Sequence, residues 1–199
     1  MEWNQKFNLT AITEPAEIMT KHFKDSLYCS NYIPKNASVA DVGSGAGFPG
    51  IPLKIARPDI SLTIFEATGK KITFLNHLCN KLNIDVKCIH IRAEDAGGDI
   101  KYREQFDIAV SRAVARMSIL AEYCLPLVRV GGKMVAMKGS NVDGEITQAA
   151  GLIKKLGAEV LQASYYIIEG TDIKHSIVEV EKKMPTPMLY PRRGTKIGR

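Results

Sequence analysis

The sequence predicts an α/β protein: a mainly parallel, seven-stranded sheet with helices on both faces and a C-terminal antiparallel hairpin. Three observations carry this. Short β-rich runs alternate with amphipathic stretches of about 10–15 residues, the pattern of βαβ units. A glycine-rich loop joins the first of these runs to a helix. The last two runs have only Gly170-Thr171-Asp172 as a break, which is too short for a crossover, so they pair antiparallel at one edge.

Each element has its own warrant. Residues 14–32 read as a helical appendage: Thr13 is placed to cap it, Pro15 suits its first turn, and Ile18, Met19, His22, Phe23, Ser26 and Leu27 fall near one face. Ser38–Val42 is a short strand, followed by the glycine loop and a helix near 50–57. Ser61–Glu66 is a strand. Residues 70–82 form an amphipathic helix with Ile72, Leu75, Leu78, Cys79 and Leu82 at three–four spacing. Strands follow at 86–91 and 106–111, then a helix at 117–128 and a strand at 133–138 entered through Gly131-Gly132. A helix at 143–156 is closed by Gly157, and residues 159–168 and 176–182 make the hairpin.

At 199 residues, 45% of them hydrophobic, the chain supports one domain, with no Gly/Ser linker to divide it. Folding at this size hides roughly 70% of the chain's surface, so neither disulfides nor a structural metal is required. Cys29, Cys79, Cys88 and Cys124 contain no CxxC pair and read as free thiols, with no metal site. No apolar run approaches the ~20 residues that span a bilayer. MEWNQKFNLT also lacks the basic-then-apolar layout of a secretory leader, so a cytoplasmic protein without a membrane partner is expected.

The net charge of +6 is unevenly placed. Residues 182–199 carry six Lys/Arg and no acid, so the remaining 181 residues are neutral. The expected division is a domain at 1–184, with 1–32 as its N-terminal appendage, and a basic tail at 185–199. Such a tail suits an anionic partner, nucleic acid first, or serves only solubility.

The segment Asp41-Val42-Gly43-Ser44-Gly45-Ala46-Gly47-Phe48-Pro49-Gly50 follows a strand and opens a helix. A dinucleotide fingerprint requires glycine where Phe48 stands. Glycines at 43, 45 and 47, with an acid two residues before the first, instead resemble the loop of class I S-adenosylmethionine-dependent methyltransferases. That cofactor has no pyrophosphate, and residues without Cβ let the backbone approach its aminoacyl end. Glu66 closes the next strand, where an acid accepts from both ribose hydroxyls, with Ala67 and Thr68 after it. Ala93-Glu94, just past the third strand, would meet the adenine amino group. No [DN]PP[YF] and no Pro-Cys nucleophile is present; the fourth strand ends in Ser111-Arg112-Ala113 and the fifth in Met137-Lys138-Gly139.

The chain resembles the RsmG (GidB) family of bacterial 16S rRNA guanine-N7 methyltransferases throughout its length. The resemblance rests on WNQKFNLTAI (3–12), HFKDSL (22–27), DVGSGAGFPGIPL (41–53), GKKITFL (69–75), RAE (92–94), SRA (111–113), MKG (137–139) and PTPMLYPRRGTKIG (185–198). It implies methylation of N7 on one guanine, of the 527 type in the 530-loop hairpin, with 16S rRNA or the 30S subunit as partner and S-adenosyl-L-methionine as cofactor. It further implies that Gly43, Phe48, Glu66, Ala93, Glu94 and Arg112 surround that cofactor. Family members usually carry a helical segment before the WNQKFNLT motif, and this chain begins two residues before it.

Guanine N7 has a free lone pair and no proton, so no general base is expected and catalysis falls to positioning and electrostatics. A cation on O6 would hold the base in register; Lys138 is preferred over Arg112, with Arg192 and Arg193 on the RNA. Tyr190 stacks on a base or pins the tail, His22 packs beneath the pocket, His77 lies on the surface, and Asn8 and Thr10 line the pocket or cap the first helix. A monomer is expected. The alternatives are a methyltransferase acting on another RNA or a small molecule, and a cofactor-binding RNA module without activity.

Overall fold

The computed structural model describes residues 2–194 and 197. One seven-stranded sheet runs through it in the order β3-β2-β1-β4-β5-β7-β6. The strands are β1 Ser38–Val42, β2 Ser61–Glu66, β3 Val86–His90, β4 Phe106–Arg112, β5 Val128–Gly139, β6 Ala158–Ile167 and β7 Lys174–Lys182. β1 to β5 are parallel, while β7 runs antiparallel between β5 and the edge strand β6. Strand order reverses beside β1, whose neighbours are β2 and β4. Loops leaving the C-terminal ends there diverge to opposite faces and open a crevice.

Both faces of the parallel strands are covered, so they read as continuous apolar runs. Ala40 and Val42 face one core with Met117, Leu120 and Ile153. Val39 faces the other with Ile51, Ile64 and Leu75. The helices on these faces are α4 Gly50–Ala56 and α5 Gly69–Leu82 on the second, and α6 Ala93–Gly98, α7 Met117–Cys124 and α8 Asp143–Lys155 on the first. Before them come α1 Glu2–Phe7, α2 Pro15–Ile18 and α3 Asp25–Leu27.

Several boundaries depart from expectation. Glu14, not Thr13, stands at the α2 N-cap, and no side chain caps it. The 14–32 segment also changes pitch: Met19–Lys24 is π-helical and Tyr28–Tyr32 is 3-10. α7 stops at Cys124 because Pro126 has no N–H to continue it, and Val128 instead pairs with Phe106. α6 was not expected, and the appendage helix expected over 1–32 is broken, with α1 standing apart from the helical run that starts at Pro15. α1 is held from outside, by Trp3 packing on Phe74 and His77 of α5 at ring centroid distances of 5.6 and 4.9 Å.

The largest departure is the C-terminus, where residues 182–192 are built into the body. Lys182 is fully buried and donates to Leu125 O, Val128 O and Glu104. Arg103 donates to the carbonyls of Thr186, Pro187 and Tyr190. Tyr190 is buried in the α7–α8 core and pins the tail, whereas Leu189 is exposed. No physical break falls between 184 and 185. Lys196 and Arg199 lie outside the described residues.

Candidate active site

Asp41, at the end of β1, is fully buried. Its Oδ2 accepts from Ser44 Oγ at 2.5 Å and Gly50 N at 2.8 Å, while Oδ1 has no hydrogen-bond partner among the described residues. Burial pushes its carboxyl up to about 6, against the pull of those two donors. The carboxylate thus ties both ends of the glycine loop together.

Gly43, Gly45 and Gly47 all have positive φ, but for different reasons. A Cβ on Gly43 would stand 2.6 Å from Val114, and one on Gly47 would stand 2.7 Å from Ile51. Those two are glycine because protein packs against them. Only Gly45 faces open space, with Lys71 Nζ at 4.0 Å as the nearest atom. The expectation that all three clear room for a ligand is corrected for Gly47; Gly43 is packed against Val114 yet still lines the cavity beside Glu66.

Glu66 ends β2, nearly buried, and its two oxygens accept from Gly45 N at 3.0 Å and Thr68 N at 2.9 Å. Each oxygen retains a lone pair. A cavity of about 140 Å³ opens beside it, lined by Gly43, Glu66, Ala67, Ala93, Glu94 and Val114, with Phe65, Ile91 and Tyr123 as apolar walls. Thr68, at the α5 N-cap, is exposed outside that lining.

A second cavity, of about 420 Å³, lies past the ends of β4 and β5 and is closed on one side by residues 12–25. Ala113 lines this cavity and the adjoining Val114 the smaller one, so the end of β4 stands between the two spaces. Ala113 has φ +56, a left-handed conformation that turns the chain sharply there.

Asp25 organises the larger cavity. Almost wholly buried, it accepts from Arg112 Nη1 at 2.7 Å, Tyr166 Oη at 2.8 Å and His175 Nδ1 at 2.9 Å. Burial and the Asp25 charge push the Tyr166 hydroxyl up, keeping it a donor. Arg112 also donates to Lys21 O and His22 O in the π-helical turn, and its guanidinium lies 5.2 Å over the Phe48 ring. It clamps residues 21–25 to the sheet while lining the larger cavity, and it does not line the smaller one, where it was expected beside the cofactor. Phe48 stacks on His22 at 4.7 Å, forming the floor of that clamp.

Arg112 Nη2 lies 3.3 Å from His22 Nδ1, and His22 Nε2 lies 2.8 Å from Thr10 Oγ1. Burial, then the Arg112 charge, lower the His22 pKa, so the ring is neutral, accepting at Nδ1 and donating at Nε2. Thr10 thus touches the cavity wall through His22, and Asn4, not Asn8, brackets Thr10 through its backbone.

Lys138, at the end of β5, is mostly buried. Its ammonium donates to Ala115 O at 2.9 Å and lies 2.8 Å from Glu145 Oε2. Arg192 does not reach this region: it is ion-paired to fully buried Glu122 on α7. Its assignment to substrate is corrected, because its guanidinium is engaged on Glu122 at α7, away from both cavities. Arg193 is exposed and pairs with Asp95 at 3.3 Å.

Sequence reasoning missed Asp25, Glu122, Glu145, Tyr166 and His175. One signal was available, a lone acid at 122 inside the apolar helix MSILAEYC.

The family of rRNA small subunit methyltransferase G, GidB, matches residues 1–172. The chain belongs to the GidB family. A ribosomal RNA small subunit methyltransferase G from Clostridium beijerinckii is 47% identical over 201 residues, covering all of this chain and 84% of that protein. One from Thermoanaerobacter sp. (strain X514) is also 47% identical, with the same coverage. Among solved structures, TYW2 of M. jannaschii in complex with AdoMet superposes with a TM-score of 0.65 at 13% identity, over 87% of this chain and 79% of that one. TehB of Haemophilus influenzae superposes with a TM-score of 0.56 at 18% identity, over 91% and 66%. The fold is that of class I methyltransferases, and family membership makes this chain an S-adenosylmethionine-dependent rRNA methyltransferase.

Proposed function

We propose that S-adenosyl-L-methionine lies along the crevice at the glycine loop, with its nucleoside end at the smaller cavity, and that the larger cavity takes a guanine of 16S rRNA, with methyl transfer to N7 between them. The residues fit the donor. Glu66 keeps a lone pair on each oxygen for the ribose hydroxyls, Ala93 and Glu94 edge the adenine space, and Gly45, followed by Ala67 and Thr68 across the crevice, leaves open room at the loop. S-adenosyl-L-methionine supplies an electrophilic methyl on a sulfonium; the N7 lone pair forms the new C–N bond as the C–S bond breaks and its electrons return to sulfur.

No residue has to take a proton, because N7 carries none. What the chain provides is position and charge. The observation that carries the reading is the Lys138 ammonium: of its three N–H groups, Ala115 O and Glu145 engage two, leaving one to meet O6 beside N7. A donor fixed in a mostly buried setting needs little reorganisation during reaction. Arg193, exposed at the tail, is left for phosphate contact.

On this reading the enzyme acts as a monomer, in the cytoplasm, on 16S rRNA or the 30S subunit. Incubation with labelled cofactor and undermodified 16S rRNA or 30S subunits, followed by mapping of the modified base, tests this. Label on N7 of one guanine in the hairpin near the decoding centre is expected; label on another atom, or none on RNA, overturns it.

A further inference from the structure

Glu145 enters none of the steps above, yet it lines the larger cavity beside Lys138. It comes from the first turn of α8, and its Oε2 accepts from Met117 N at 2.9 Å as well as pairing with Lys138. Its Oε1 takes no hydrogen bond from a described residue. Burial raises its carboxyl, but Lys138 and the Met117 N–H more than offset that and keep the pKa low, so the group is an acceptor only. An ammonium donor, mostly buried, and a carboxylate acceptor, half-buried, therefore stand side by side in the cavity wall.

We infer that Lys138 and Glu145 read the six-position edge of the target purine as a pair, Lys138 donating to O6 and Glu145 Oε1 accepting from N1–H, so that guanine is selected over purines without that pattern. This deepens the guanine reading proposed above and rests on it. Guanine presents an acceptor at O6 next to a donor at N1, which matches the pair in order. Adenine presents the reverse, a donor at N6 and an acceptor at N1, and would set like against like at both points. A site built for hydrogen bonds rejects the mismatched analogue because its own groups, Lys138 mostly buried and Glu145 half-buried, are left unpaired. The salt bridge also keeps the pair registered: Glu145 cannot swing away without abandoning both Lys138 and the N–H at the start of α7.

The test uses the full chain and hairpin RNAs whose target base is guanine, inosine or 2-aminopurine. Inosine keeps O6 and N1–H and lacks only the 2-amino group. 2-Aminopurine lacks O6 and has an unprotonated N1. For the native enzyme, single-turnover transfer to inosine should stay within about fivefold of guanine, and 2-aminopurine should fall by about 100-fold or more, the size of discrimination expected from unpaired polar groups. Glu145→Gln keeps an oxygen for Met117 N and turns an NH2 toward N1. It should shrink the guanine-to-2-aminopurine ratio by about tenfold or more, with the guanine rate falling most. If Glu145 only holds α7, both substrates slow in parallel and the ratio is unchanged, which overturns the inference. Equal native rates on guanine and 2-aminopurine overturn it without any variant. Failure of the guanine reading itself is separate: the native enzyme would then leave N7 of guanine and inosine unmethylated.

Discussion

On the donor side of the site, Glu66 is held by backbone N–H groups of Gly45 and Thr68, and Asp41 by Ser44 and Gly50. These partners lie two to 21 residues away along the chain. On the acceptor side, Asp25 is held by side chains 87, 141 and 150 residues distant, from β4, β6 and β7. One half is made of local backbone geometry and the other of long-range buried charge. The first is set once a strand and its loop form; the second exists only after the sheet has closed and the N-terminal segment has docked. The acceptor half and the tail should therefore be more sensitive to removal of single charged groups, and the donor half to removal of backbone-held acceptors.

The largest effect should come from truncating the chain after Lys183. This removes Tyr190 from the core, takes Arg192 away from the buried Glu122 carboxylate and deprives Arg103 of the carbonyls at 186, 187 and 190. A loss on the order of 5 kcal/mol is expected, since breaking one buried pair alone costs about 3–5 kcal/mol. Denaturant melts would show it. A truncated chain with native stability would show that the tail is the separable RNA contact that its composition suggests.

Asp25→Ala comes next. It leaves Arg112 buried without its carboxylate and releases Tyr166 and His175, for a loss of about 3–5 kcal/mol. Chemical denaturation reports it directly. A cost below about 1 kcal/mol would place this cluster with weak surface pairs and erase the contrast between the two halves.

Asp41 offers a pH test on the donor side. Burial raises its folded-state pKa, to about 6, so the native chain holds this proton more tightly than the unfolded one. The resulting stability is full below the unfolded value and is lost as pH rises through about 6. For a rise of this size the span is on the order of 3 kcal/mol. Asp41→Asn, which keeps an acceptor for Ser44 and Gly50, should flatten that part of the stability–pH curve. Parallel curves for the two proteins between pH 4 and 7 would contradict it.

The difference between the halves also explains what could be read from the sequence. Strands such as Ser61–Glu66 were legible because both faces are apolar over a short run, and the donor site because its glycines and acids sit at fixed offsets from strand ends. α6 was invisible: AEDAGG has no helical periodicity and ends in two helix-disfavouring glycines, and it is held by packing of Ala96 into the core. Asp25 and His175 carry no signal of each other. The tail's charge was counted correctly and its destination was not, because Arg192 finds an acid 70 residues earlier and Lys182 one 78 residues earlier. Composition reports an excess of charge, while pairing depends on the closed fold.

The most direct test of the division between donor and acceptor halves is titration of S-adenosylhomocysteine into Glu66→Ala and Lys138→Met, with the rate of methyl transfer to 16S rRNA measured on the same preparations. Glu66→Ala should lose about 10- to 100-fold in cofactor affinity, from two charge-assisted hydrogen bonds of about 1.5–3 kcal/mol each at most. Lys138→Met should bind the cofactor within about twofold of native while transfer falls by about 100-fold, the usual scale for one preorganised donor. Cofactor affinity lost in Lys138→Met and kept in Glu66→Ala would contradict the account.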